Sequence, residues 1–141
     1  MSYDTIDVIA KGLSAARTRV NTIAGNIANA ETTRTPEGGP YKRRDVVQMA
    51  VSQQGSFSSA LDQASMASPA IAAVVEDNTA PRKVFQPGHP DADKDGYVAY
   101  PNINVVTSMT DLTTASRLYQ ANLTALETAR RMAQDTQAII R

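Results

Sequence analysis

The chain has 141 residues and 15.1 kDa, room for one modest domain, and its 14 basic and 14 acidic side chains cancel. Residues 1–31 carry three charges of each sign, 32–104 seven basic against eight acidic, and 105–141 four against three, so no basic arm exists to draw the protein onto nucleic acid or an anionic membrane. The absence of cysteine excludes thiol catalysis, disulfides and thiolate zinc sites.

Asp4 and Asp7 stand where a Sec signal needs basic residues, and no apolar run approaches the ~18 residues that span a bilayer; neither Sec export nor direct membrane insertion is expected. From Asp4 to about Ala30, Ile6, Ile9, Leu13, Ala16, Val20, Ile23 and Ile27 recur at alternating steps of three and four. That heptad stripe predicts an amphipathic helix of roughly 40 Å. Ala10, Ala15, Ala24 and Ala28 flank it, and Gly12 and Gly25, each costing about 1 kcal/mol against alanine, are expected to serve close packing.

Thr32 to Pro40 is turn chemistry, and Tyr41 to Val51 reads as a short strand with a basic shoulder at Lys42, Arg43 and Arg44. Residues 52–70, rich in serine, glutamine and alanine, are expected to be flexible. Ile71 to Val75, Arg82 to Phe85 and Tyr97 to Tyr100 then offer three short strands. The last segment carries a second stripe at Val105, Met109, Leu112, Tyr119, Leu123, Leu126, Ala133 and Ile140, interrupted at Ser116, Arg130 and Gln137. A parallel apolar edge runs through Ala115, Leu118, Ala125, Ala129, Met132 and Ile139, and a helix with two apolar edges has more than one partner.

The expected organisation is an N-terminal amphipathic assembly helix (1–31), a loop and β-rich insert (32–104) and a C-terminal assembly helix (105–141). The fold class is mainly α, with the terminal helices pairing as a coiled coil whose leftover faces meet neighbours. The simpler alternative is a two-helix pair that closes on itself. Assembly-interface candidates are Ile6, Ile9, Leu13, Val20, Ile23, Asn26, Ile27, Asn29, Met109, Leu112, Tyr119, Leu123, Leu126 and Ile140.

Signals for chemistry are few. Asp91-Ala92-Asp93-Lys94-Asp95-Gly96 matches the first half of a calcium loop, but the twelfth position is Asn102 and Pro87-Gly88-His89-Pro90 precludes an entering helix. A polar turn between strands is the expected reading. His89, the only histidine, belongs to the same turn; Glu76 and Asp77 are adjacent on an extended segment and point to opposite faces; Lys42, Arg43 and Arg44 suit a surface ion-pair patch at a subunit contact. No phosphate loop, zinc spacing or nucleophile elbow occurs, so neither an enzyme nor a cofactor is expected.

Gly25-Asn26-Ile27-Ala28-Asn29-Ala30-Glu31-Thr32-Thr33, closing a heptad helix, resembles the asparagine-rich signature of bacterial flagellar rod and hook proteins. The alternative for the motif alone is an ordinary helix end, since asparagine tolerates the left-handed conformation. Gly38-Gly39-Pro40-Tyr41-Lys42-Arg43, Val74-Val75-Glu76-Asp77, Pro87 to Asp93, Gly96-Tyr97-Val98, Tyr100-Pro101-Asn102, Asn104-Val105-Val106 and Ser116 to Leu123 extend the likeness to the proximal rod subunits of that family, leaving only 52–70 outside it. Gly25, Glu31 and Arg34-Thr35 depart from the pattern.

The resemblance implies an elongated subunit of a helical tubular assembly, transmitting torque from the rotor ring to the distal rod and hook for motility. Its implied partners are copies of itself, other proximal and distal rod subunits, the rotor-ring adaptor and the flagellar type III export apparatus. The implied place is the basal-body rod, spanning the periplasm. A calcium-binding protein acting through the 91–96 loop and a soluble coiled-coil secretion adaptor or chaperone are the alternatives.

Overall fold

The heptad stripe at the N-terminus forms a helix, α1, over Ser2–Ala28. The structure is a computed structural model that describes residues 2–51 and 68–139. After Ala28 the helix tightens, with Ala30 N–H donating to Ile27 O at 3.2 Å and Thr32 N–H to Asn29 O at 3.1 Å. These three-residue steps satisfy terminal carbonyls without a left-handed residue. No non-glycine residue among those described has positive φ, so Asn29 does not close the helix in the way the sequence alternative supposed.

The loop that follows turns back through Gly38 (φ 90°) and Gly39 (φ 77°), where a side chain is disfavoured. Tyr41 N–H donates to Thr32 O at 3.0 Å, so Tyr41 belongs to this loop, and strand β1 begins later than expected, covering Arg44–Val51. Strand β2 covers Ser68–Glu76 and pairs antiparallel with β1, from Arg44 opposite Glu76 to Val51 opposite Ser68. A bulge lies between Val47 and Gln48, where Ala72 is the extra residue on β2. The flexible stretch expected over 52–70 is therefore corrected at its end: Ser68, Pro69 and Ala70 are ladder residues, and Ser68 is buried. Residues 52–67 lie outside the described residues.

The other two strands, β3 (Arg82–Phe85) and β4 (Tyr97–Tyr100), fall where the sequence placed them and form a second antiparallel hairpin. Val98 is fully buried, and the Phe85 and Tyr97 rings meet edge-on at 5.3 Å. Gly96 adopts φ 80°, and a Cβ there would sit 2.9 Å from Phe85 Cε2, so both conformation and space require glycine. Asn104 then caps the last helix, α2 (Val105–Ile139), its side-chain oxygen accepting from Thr107 N–H at 3.2 Å.

The two helices pack on each other, and both strands of the first hairpin pack on α1. Gly12 lies against Asn122 of α2 and Pro69 of β2, while Asp111 lines the same depression as Arg19, Thr22 and Ile23. The helices are therefore antiparallel. Continuing that register, Ser2 stands level with about residue 132, so roughly the last two turns of α2 run past the start of α1. The buried apolar positions are chiefly small: Ala15, Ala16 and Ala30 on or just after α1, Ala115 and Leu126 on α2. Alanine seams permit close helix approach but bury little area per contact. Gly12 fits the close-packing expectation, with Pro69 Cγ 3.7 Å from a notional Cβ. Gly25 does not, since nothing lies within 4 Å of one.

Candidate assembly interface

The α1 candidates Ile6, Ile9, Leu13, Val20, Ile23 and Ile27 are all half-buried. On α2, Ala115 and Leu126 are buried and Ser108, Leu112, Ser116, Tyr119, Asn122, Ala129 and Ala133 half-buried; apart from Ser116 they recur at alternating steps of four and three. This line takes Leu112, Tyr119, Leu126 and Ala133 from one predicted stripe and Ala115 and Ala129 from the other. Leu126 is 8% exposed, whereas Met109 and Leu123 of the same predicted stripe are 54% and 39% exposed. Ile140 lies outside the described residues.

At about 100° per residue, Met109 and Leu123 fall to one side of the buried line of α2, and Leu118, Ala125 and Met132 to the other. Asp111, beside the first hairpin, falls on the second side, so Met109 and Leu123 face away from that hairpin. Both are large apolar side chains left exposed on α2, with the half-buried Ser116 between them on the same side. Sequence spacing found both but could not say which positions are covered within the chain. Ser108 and Asn122 were missed because polar residues interrupt an apolar count, although their spacing matches it.

The asparagines have a different placement. Asn26 is 4% exposed, its Nδ2 donates to Arg44 O at 2.7 Å, and its Oδ1 accepts from Arg44 N–H at 2.9 Å and Tyr41 OH at 3.2 Å. Asn29 Nδ2 donates to Gly25 O at 2.9 Å and its Oδ1 accepts from Thr32 Oγ1 at 3.2 Å. Both signature amides are engaged within the subunit.

The basic shoulder is an ion-pair patch. Arg43 pairs with Asp45 and, at 3.8 Å, with Asp77; Arg44 reaches Glu76, opposite it in the ladder, at 3.1 Å; Lys42 Nζ donates to Asn78 Oδ1 at 3.3 Å. The hydrogen bond to Asp45 raises the Arg43 pKa against a smaller desolvation effect. Asp77 is held below the usual carboxylate value by hydrogen bonds from Thr79, with Arg43 adding to the effect.

The aspartate loop is a folded turn. Asp91 Oδ2 accepts from Thr33 Oγ1 at 2.8 Å, Arg34 lies 3.8 Å from its other oxygen, and Asp93 Oδ1 accepts from the N–H groups of Asp95 and Tyr97 at 3.0 and 2.8 Å. His89 Nδ1 accepts from Asp91 N–H at 3.1 Å. Asp91 ties the loop after α1 to the β3–β4 turn, which Asp93 closes from within, and among the described residues no cluster of three or more His, Cys, Asp or Glu is arranged to hold a metal ion. Nor, among the same residues, is any helix long and apolar enough to cross a membrane.

Family models match at both ends of the chain: a flagella basal body rod protein model over residues 6–34, and the C-terminal model of flagellar basal body rod FlgEFG proteins over residues 94–139. The chain is 36% identical to the flagellar basal-body rod protein FlgC of Borreliella burgdorferi, covering 98% of this chain and 97% of that one. It is 35% identical to FlgC of Salmonella typhimurium over 89% and 88%, and 33% identical to FlgC of Bacillus subtilis over 93% of each.

Proposed function

The chain belongs to the FlgC family of flagellar basal-body rod proteins, structural components of the rod, and from that premise we propose how its geometry serves assembly. The two helices act as an antiparallel coiled-coil unit, and the shoulder formed by Ile6, Leu13, Val20 and Ile27 with Met109 and Leu123 receives helices of neighbouring subunits in a tube wall. The observation that carries this reading is that the large residues of a continuous heptad stripe on α1 stay half-buried in the subunit while Met109 and Leu123 stay exposed on α2, the helix packed against it.

Torque then passes along the wall through many lateral helix contacts, each small, from the rotor side toward the distal rod and hook. The neighbours are copies of this chain and the other rod subunits, and the subunit reaches them through the flagellar export apparatus as an unfolded chain. The alanine-rich seam and the lack of cysteine suit that route, since little packed core and no covalent cross-link resist unfolding.

The test is a strain deleted for this chain, scored for swimming and for basal-body composition, and complemented by the wild type. The expected result is loss of swimming with basal bodies that stop short of a complete rod, restored by the wild type. Intact rods in the deletion strain would overturn the proposal.

A further inference from the structure

Arg43 O accepts from Asp77 N–H at 2.8 Å, on the side of β1 that faces β2. Backbone groups of successive strand residues point to opposite edges, so the N–H and C=O of Arg44 both point to the outer edge of β1. Asn26 fills that edge: one primary amide donates to Arg44 O and accepts from Arg44 N–H, as a third strand would. A carboxylate lacks the donor, alanine lacks both, and glutamine is one methylene too long to keep the same seat on α1.

The hairpin touches α1 again at the Gly12–Pro69 contact. From Asn26 to Gly12 is fourteen helical residues, about 21 Å at 1.5 Å each. From Arg44 to Ala50, which faces Pro69, is about 20 Å of strand. The hairpin thus lies along α1 as an arm fixed near both ends, with Val46 half-buried and Val47 and Met49 turned outward.

We infer that Asn26 is the positioning residue of this arm: it fixes where β1 starts on α1 and hence which face of the hairpin is presented outward. Tyr41, bonded to the same Oδ1, steadies the amide. The signature asparagine acts inside the subunit, and its effect on any neighbour passes through the arm. This assignment stands on intrachain geometry, and its first test does not depend on the assembly proposal.

The cysteine-free chain allows two cysteines to be placed at will. Spin labels on Asn21→Cys with Val47→Cys report the arm against α1, and labels on Ala10→Cys with Ala125→Cys report the helix pair. In the full chain, Asn26→Ala should broaden the first distance distribution and leave the second unchanged. Amide exchange in residues 45–50 and 70–75 should rise at least about tenfold, given that one net hydrogen bond changes an opening equilibrium about fivefold. Tyr41→Phe, which spares both backbone bonds, should give a smaller change at the same place. Asn26→Ala with an unmoved arm overturns the assignment. Where Asn26→Ala loosens the helices as well, Tyr41→Phe decides: an arm that stays fixed, or a helix pair that loosens with it, overturns it too. Rod incorporation of the same variants tests the assembly proposal separately.

Discussion

Leu126 and the pair Met109 and Leu123 sit on one predicted stripe of α2 but in different surroundings, and substituting them separates folding from assembly. Leu126 is nearly covered, so Leu126→Ala removes most of a buried leucine and leaves a cavity, costing about 2–4 kcal/mol. For a chain of this length that lowers the Tm by roughly 8–15 °C. Met109 and Leu123 keep about half and two-fifths of their surface in water, so Met109→Lys with Leu123→Lys should cost the isolated subunit less than about 1 kcal/mol. In the tube the same two positions would be covered, forfeiting about 1 kcal/mol each of apolar burial and placing two charges where desolvation costs several kcal/mol more. Thermal unfolding of the purified subunit by circular dichroism gives the first quantity, and incorporation into basal bodies with swimming gives the second. The reasoning fails if the lysine pair destabilises the subunit as much as Leu126→Ala, or if a folded lysine pair builds normal rods.

Gly96→Ala forces a positive φ and drives a Cβ toward Phe85, so it should cost about 2–3 kcal/mol, seen as a lower Tm and lost exchange protection in β3 and β4. Gly25→Ala meets nothing within 4 Å and should stabilise the subunit by about 1 kcal/mol in denaturant unfolding; impaired rod growth from that more stable variant would locate a neighbour's close approach at Gly25. Asp77 has a folded pKa below its unfolded value, so its contribution is present above about pH 4 and is lost as pH falls through the lower folded value. Tm measured from pH 5 downward should therefore fall less steeply in Asp77→Asn than in the wild type, and parallel curves would refute the Thr79 and Arg43 assignment.

The helices were legible because period and length agree: the α1 stripe is unbroken from Ile6 to Ile27, and Asn104 and Val105 open α2 where the second stripe begins. Strands β3 and β4 were legible because Pro87 to Gly96 brackets them with turn chemistry. The start of β2 was hidden since Ser68, Pro69 and Ala70 carry no strand signal of their own and owe their state to Met49, Ala50 and Val51 opposite. On α2, two apolar edges left the covered line undecided, and only packing against α1 selects Leu112, Ala115, Tyr119, Leu126 and Ala129. The intrachain work of Asn26 was out of reach, because its partner Arg44 is eighteen residues away and offers only its backbone.

The unequal helices have a mechanical consequence. Among the described residues, α2 runs roughly two turns past Ser2 of α1. Under the assembly proposed above, an overhang of this kind lets lengthwise neighbours meet in a lap joint, where a twisting load is carried as shear along a helix flank and no flat plane offers a place to part.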